Sequence, residues 1–439
     1  MQKMTEIDVS TLWQQTVKGN SSLATVDKKL VQVLYPGRPS DEPGADFKDA
    51  VLDISGRLTK GDIEIHVKSS DWRLHNHHRN KTYNGIVLHV VMWHDCQVVT
   101  RLENGGSIPT VSLDNQKGKN KRDKNTSSCC PGSAVIGSGT KILDILARAG
   151  EARFQEKQEA FCRELQTVQA GQCLYRGIMG ALGYSRNIVP FQMVAGHLPL
   201  DYLESLARTG SIEMVSASIE SLLLGTAGFL PSQRGENLVP VADNGWTKIL
   251  EEEWCIARGK QALSIGDWHL FRIRPGNFPV RRLAGMAQLL LQYRQEGLLA
   301  GLTGLVEATS APEYWGILEA GLVVTATDYW VDHFAPEKQC RRLDPFLIGR
   351  SRAVEIVINV LLPFYSAYYR HNGRSGTGDQ SFQMYCGYPV ATDNAIVRHM
   401  CRQLGLKPSQ VKSARSQQGL LHLYKRFCTA GKCAICPLV

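Results

Sequence analysis

The 439-residue chain lacks an unbroken apolar run at 353–369: AVEIVINVLLPFYSAYY is interrupted by Glu355, Asn359 and Pro363, so it reads as buried core and no membrane is expected among the partners. Cysteine is sparse: 12 residues over this length cannot staple a disulfide scaffold. The opening MQKMTEIDVSTLWQQ is too polar and acidic for a secretion signal or transit peptide, and the expected location is the reducing cytoplasm. Neither a GxxxxGK[ST] loop nor a GxGxxG cradle occurs, so nucleotide-driven chemistry has no support, and no tandem repeat is evident.

What is present is a globular composition, 43% hydrophobic and 21% charged, in a chain long enough for two or three domains with real cores. Lysine and arginine number 50 against 41 acidic residues, and the resulting +9 permits a polyanionic partner. The chemistry concentrates between Tyr35 and Asp95, which hold six of the 12 histidines. In GDIEIHVKSSDW, Ile63, Ile65 and Val67 alternate with Glu64, His66 and Lys68. On an extended strand those three polar groups share one face, about 6–7 Å between successive ones. An acid, an imidazole and an ammonium backed by an apolar face point to a site built on a rigid element.

Around that strand the order reads helix, strand, strand, strand, helix, strand. Residues 5–17 suit a helix capped by Thr5, and LVQVLYPG (30–37) a strand stopped by Pro36-Gly37. AVLDISGRL (50–58) alternates, and Thr59-Lys60-Gly61 is expected to turn it into a strand over 62–68 as a hairpin. DWRLHNHHRNKTY (71–83) suits a short helix capped by Asp71, and IVLHVVMW (86–93) is the continuous apolar run of a buried strand. Asp71, His75, His77 and His89 form an additional candidate site beside His66, where imidazole ligands favour zinc or manganese over magnesium. His89 in LHVV equally suits an imidazole that is only hydrogen-bonded inside a buried strand, and His75 with Asp71 the first turn of a helix.

This order resembles the core of the PD-(D/E)XK nuclease-like superfamily, in which an Asp opens the second core strand and an acid-x-Lys triplet sits on the third. Asp46, in PGADFKDA, and Glu64-Ile65-His66 occupy those places. The resemblance implies Asp46 and Glu64 as ligands of Mg²⁺ or Mn²⁺, with Zn²⁺ as the softer option, and His66 or Lys68 assisting attack on a phosphodiester. Ala45 stands where the motif has Pro, and His66 where it has Lys. The wording of the chain is more closely similar to the domain-of-unknown-function 2851 family, through GADFKDA, GDIEIHVKSSDWRLHNHH, YNGIVLHVV, ALGYSRNIVPF, LLLGTAGFLP, RIRPGNFPVRRLA and CTAGKCAICPL. No activity follows from that resemblance, and Asn80 stands where the family has an acid.

After Asp114, Lys117, Lys119, Lys121, Arg122 and Lys124 sit among Asn, Gly and Ser, as a solvated linker or a phosphate contact. From Lys141 onward apolar residues recur every three or four positions, the mark of helices. In FRIRPGNFPVRRLAG, Arg272 and Arg274 alternate along an extended run, while Arg281 and Arg282 open a helix where cations oppose the dipole. Phosphate clamping and pairing inside the protein both answer that placement. Near the end, Cys428-x4-Cys433-x2-Cys436 favours zinc or an iron–sulfur cluster over disulfides, with a fourth ligand from Cys401, Cys129, Cys130 or His422. Reduced, unligated thiols are the alternative.

The expected fold is α+β, with a restriction-endonuclease-like mixed-sheet core over 1–114, a basic linker over 115–140 and a mainly α-helical domain over 141–439. The expected function is a metal-dependent phosphodiesterase acting on nucleic acid. The alternative is a non-catalytic nucleic-acid-binding or scaffold protein on a degenerate nuclease fold.

Overall fold

Period-two alternation is realised as a sheet in the computed structural model, which describes residues 4–17, 22–40, 44–116, 139–233, 245–257, 260–271, 273–308, 314–336, 338–391 and 393–438. The strands are β1 (Ser22–Ala24), β2 (Leu30–Tyr35), β3 (Arg38–Pro39), β4 (Phe47–Ile54), β5 (Arg57–Lys68), β6 (Ile86–Trp93) and β7 (Thr110–Ser112). They lie in the order β1-β2-β4-β5-β6-β7, with β3 paired to β4. β4 runs antiparallel to β2 and β5, whereas β6 runs parallel to β5 and β7. The sheet is therefore mixed, as expected for an α+β chain.

Both faces of β5 are covered at its middle, which is why its alternation matters. Ile63 and Ile65 join a core with Leu88 and Val90 of β6 and with Val9 and Trp13 of the helix α1 (Glu6–Thr16). Thr5 and Asp8 close the start of α1 as a capping box: the Asp8 N–H donates to the Thr5 hydroxyl, and the Thr5 N–H to the Asp8 carboxylate. Glu64 and His66, buried on the opposite face of the strand, look away from that core.

Two local expectations are corrected. The hairpin turn lies at Ser55-Gly56, not at Thr59-Lys60-Gly61, and β5 begins at Arg57. Ser55 and Gly56 both take positive φ, 54° and 86°, the backbone of a turn whose twist matches its strands. Gly61 stays inside β5 for another reason. A Cβ there would lie 2.4 Å from Val87 Cγ1 and 2.6 Å from the Gly85 carbonyl oxygen, so only glycine lets the start of β6 approach. The segment 71–83 is not one helix. It is a single turn, α2 (Asp71–Leu74), followed by 3₁₀ turns at His77–Arg79 and Lys81–Tyr83, because Asn76 adopts φ 59° and breaks the run.

The chain forms two compact units, 1–153 with 393–439, and 154–392. Tyr35 and Val51 of the sheet share an apolar cluster with Ile142 and Leu146, and with Met400, Leu420 and Tyr424 near the C-terminus. The C-terminal segment is thus part of the sheet's unit, whereas the sequence pattern grouped it with the helices. The second unit is mainly helical. Its apolar run at 353–369 is core, with Val357, Leu361, Leu362 and Phe364 fully buried, and its helix takes a π turn over Val357–Leu361. The one described helical stretch long and apolar enough to span a membrane, 212–233, is 89% buried, as a core helix is.

Candidate metal centre

Asp46 ends the segment leading into β4, and its Oδ2 accepts the Ile65 N–H of β5 at 2.8 Å. That bond ties the acid beside Glu64 on the neighbouring strand. Glu64 is only 5% exposed. Its Oε1 lies 3.3 Å from His77 Nε2 and 3.9 Å from His66 Nε2, while its Oε2 is buried with no hydrogen-bond partner. An acceptor left bare in the interior is costly, so this oxygen marks a place where something positive or protic belongs.

Four imidazoles complete the cluster. His66 is fully buried on β5, and its Nδ1 faces His89 Nε2 on β6 at 2.9 Å. His89 Nδ1 in turn reaches the Thr100 hydroxyl at 3.2 Å, and Thr100 the Thr110 hydroxyl at 3.0 Å. On the other side, His66 Nε2 faces His75 Nδ1 and His77 Nε2, each at 3.2 Å. The broken helix after β5 is what delivers those two rings: the left-handed Asn76 between them turns both back over the strand. Trp72, anchored by its indole N–H on the Arg101 carbonyl at 2.9 Å, and Tyr83, whose ring centre lies 3.8 Å from that of His77, pack against the cluster, while His75 stays exposed.

Burial governs the electrostatics. It pushes Glu64 up to about 9, with the Asp46 charge adding to the rise and the Asp46 N–H and Lys48 opposing it. Asp46 is raised to about 6 by burial against the Ile65 N–H, with Glu6 adding. Burial and neighbouring rings push His66 down to about 2, His89 to about 3 and His77 to about 4. At neutral pH these imidazoles are uncharged and have lone pairs to offer, and the two acids are short of a counter-charge.

The other expected site residues scatter. Lys68 is exposed, and its N–H, like a cap on the strand end, donates to Asp71 Oδ2 at 2.9 Å; neither side chain joins the cluster. The ammonium whose charge reaches Glu64 is instead Lys48, held by Asp62 at 2.6 Å. Lys48 had a legible signal, since it stands two residues from Asp46 in the same extended run. Glu6 had none: helix α1 brings it within electrostatic reach of Asp46, Glu64 and His75, which lie 40, 58 and 69 residues further along the chain.

Arg281 is fully buried and donates to the carbonyls of Trp330, His333 and Asp344, and Arg282 to those of Leu347 and to the Tyr184 hydroxyl and Asn277 Oδ1. Their N–H groups are thus directed at the protein itself. Arg274 is exposed, and Arg272 lies outside the described residues, as do Lys117 to Lys124, Cys129 and Cys130. Cys428 is buried and Cys436 half-buried in the apolar cluster around Tyr35 and Val51, and no disulfide joins the described cysteines. Among the described residues, the one group of three metal-ligating side chains with all ligand atoms within 4.8 Å is His66, His75 and His77.

A family model described as a protein of unknown function, DUF2851, matches residues 6–394. That span holds every residue of the cluster, and the terminal cysteines fall beyond it. No curated protein and no solved structure matches the chain.

Proposed function

For a chain that belongs to the DUF2851 family, we propose a divalent-metal-dependent phosphodiesterase acting on nucleic acid, with Asp46 and Glu64 as the ligands of a hard cation such as Mg²⁺ or Mn²⁺. The observation that carries this reading is the bare, buried Oε2 of Glu64 beside the half-buried carboxylate of Asp46. Two acids pushed upward side by side accept either a proton or a cation, and oxygen ligands suit Mg²⁺ and Mn²⁺. Such an ion, completed by water and phosphate oxygens, polarises the phosphodiester and lowers the pKa of bound water. Asp46 orients through the Ile65 N–H, and Lys48, fixed by Asp62, keeps a positive charge near the acids.

The choice of phosphodiester rests on the order and sense of the elements. A helix, the strands β2, β4 and β5, a helical segment and β6 come in the order that the nuclease-like resemblance implies, with the short β1 and β3 in addition, and Asp46 stands ahead of β4 and Glu64 on β5. The net +9 charge suits a polyanion. The test is cleavage of DNA and RNA across a panel of divalent ions. Glu64→Ala and Asp46→Asn are expected to lower metal-dependent cleavage by at least about 100-fold while the fold persists. Full cleavage by either variant removes that residue from the reading. Retained nucleic-acid binding with no cleavage by the wild type favours the non-catalytic scaffold.

A further inference from the structure

We infer that the chain carries a second, zinc-class metal site, built by His66 Nε2, His75 Nδ1 and His77 Nε2. Glu64 Oε1, a ligand of the site proposed above, borders it at 3.3 Å from His77 Nε2.

The first ground is a count of protons. A neutral imidazole nitrogen carries one in-plane lone pair or one N–H, so it makes one well-aligned hydrogen bond. His66 Nε2 has two imidazole nitrogens at 3.2 Å, His75 Nδ1 and His77 Nε2, with Glu64 Oε1 a further 3.9 Å neighbour. A hydrogen-bond network leaves one of the two 3.2 Å approaches to His66 Nε2 unpaired, whereas a cation accepting the lone pairs of all three rings uses both.

The second ground is spacing. Zinc–nitrogen bonds of about 2.0–2.1 Å at tetrahedral angles hold their ligand atoms about 3.3 Å apart. Here His66 Nε2 lies 3.2 Å from both His75 Nδ1 and His77 Nε2, and the ligand atoms of the three histidines all lie within 4.8 Å of one another. Three imidazole nitrogens select zinc, or Co²⁺ as its probe, over Mg²⁺.

The third ground is the support behind the central ligand. A lone pair on His66 Nε2 requires the proton on Nδ1, where it donates to His89 Nε2. His89 then carries its own proton on Nδ1 and donates to Thr100, which donates to Thr110. This buried relay is the arrangement that fixes a ligand's tautomer and ring plane in metal sites. Trp72 packs edge-on against the His66 ring and Tyr83 against the His77 ring.

The experiment uses the full-length chain stripped with a chelator and titrated with Co²⁺ and with Zn²⁺ alone. Expected are the strong visible bands of four-coordinate Co²⁺, displaced by one equivalent of Zn²⁺. His75 is exposed, so His75→Ala keeps the fold, and it should lose the bands and weaken zinc by at least about tenfold. His77→Gln should do the same, with circular dichroism checking the fold of each. Asp46→Asn should keep the bands in full. Absence of the bands in the wild type, or their survival in a folded His75→Ala chain, overturns the inference. Bands that persist in a wild type that cleaves no nucleic acid uphold it while removing the phosphodiesterase reading.

Discussion

His66 shows how one residue can reverse the meaning of a motif. A lysine there, as the proposed nuclease-like reading expects, would carry a charge; the His66 side chain is buried and neutral, with both ring nitrogens facing other imidazoles. The alternation Glu64-Ile65-His66 made its direction legible in the sequence, because side chains two apart share a strand face. The same rule failed for Lys68, which shares that face but sits where β5 emerges into solvent. His89 tests the relay. His89→Gln is expected to lower zinc affinity by about 10–100-fold with the thermal midpoint little changed, because the amide cannot pass a proton bond from His66 to Thr100 in the same plane. Competition titration against a chromophoric chelator reads the affinity; an unchanged affinity in a folded variant sinks the relay's role.

At the scale of elements, the site depends on how closely β6 lies beside β5. Their parallel register sets His89 opposite Glu64 and Val91 opposite His66, so a small slip separates His66 from His89. Gly61 permits that approach. Gly61→Ala forces a methyl group into the Gly85 carbonyl and Val87, and should cost about 1–3 kcal/mol. Urea unfolding measures it; a loss under about 0.5 kcal/mol means the strands relax freely. The strand order and the N-terminal helix were readable from period-two and period-3.6 patterns. The Ser55-Gly56 turn was misplaced because Thr59-Lys60-Gly61 carries the same glycine signal, and only the facing strand shows which glycine turns the chain and which admits a neighbour. The break at Asn76 was equally hidden, since a single left-handed residue leaves little mark on composition.

At the scale of the molecule, the helical unit carries its own buried acid. Glu220 is 1% exposed, accepts the Trp330 indole N–H at 2.9 Å and the Gln288 amide at 3.0 Å, and lies near Asp328. Burial raises it from 4.5 to about 7 despite those donors. The folded chain therefore keeps a proton that the unfolded chain releases first. Its stabilising contribution is complete below about pH 4.5 and is lost as pH rises through about 7, a change of about 3 kcal/mol. Glu220→Gln should flatten the fall of the thermal midpoint across that window; an identical pH slope in the variant assigns the dependence elsewhere. The sequence by itself determined the class of the chain, the strand that bears Glu64 and His66, and the family, since these follow from composition, alternation and local wording. Only the tertiary structure decided which chemistry meets. Glu6, Lys48, His75, His77 and His89 reach one strand from four separate segments, and the C-terminal helices belong to the sheet's unit. Such meetings are set by long-range packing, where the free energy of burying an apolar face is indifferent to the sequence distance it spans.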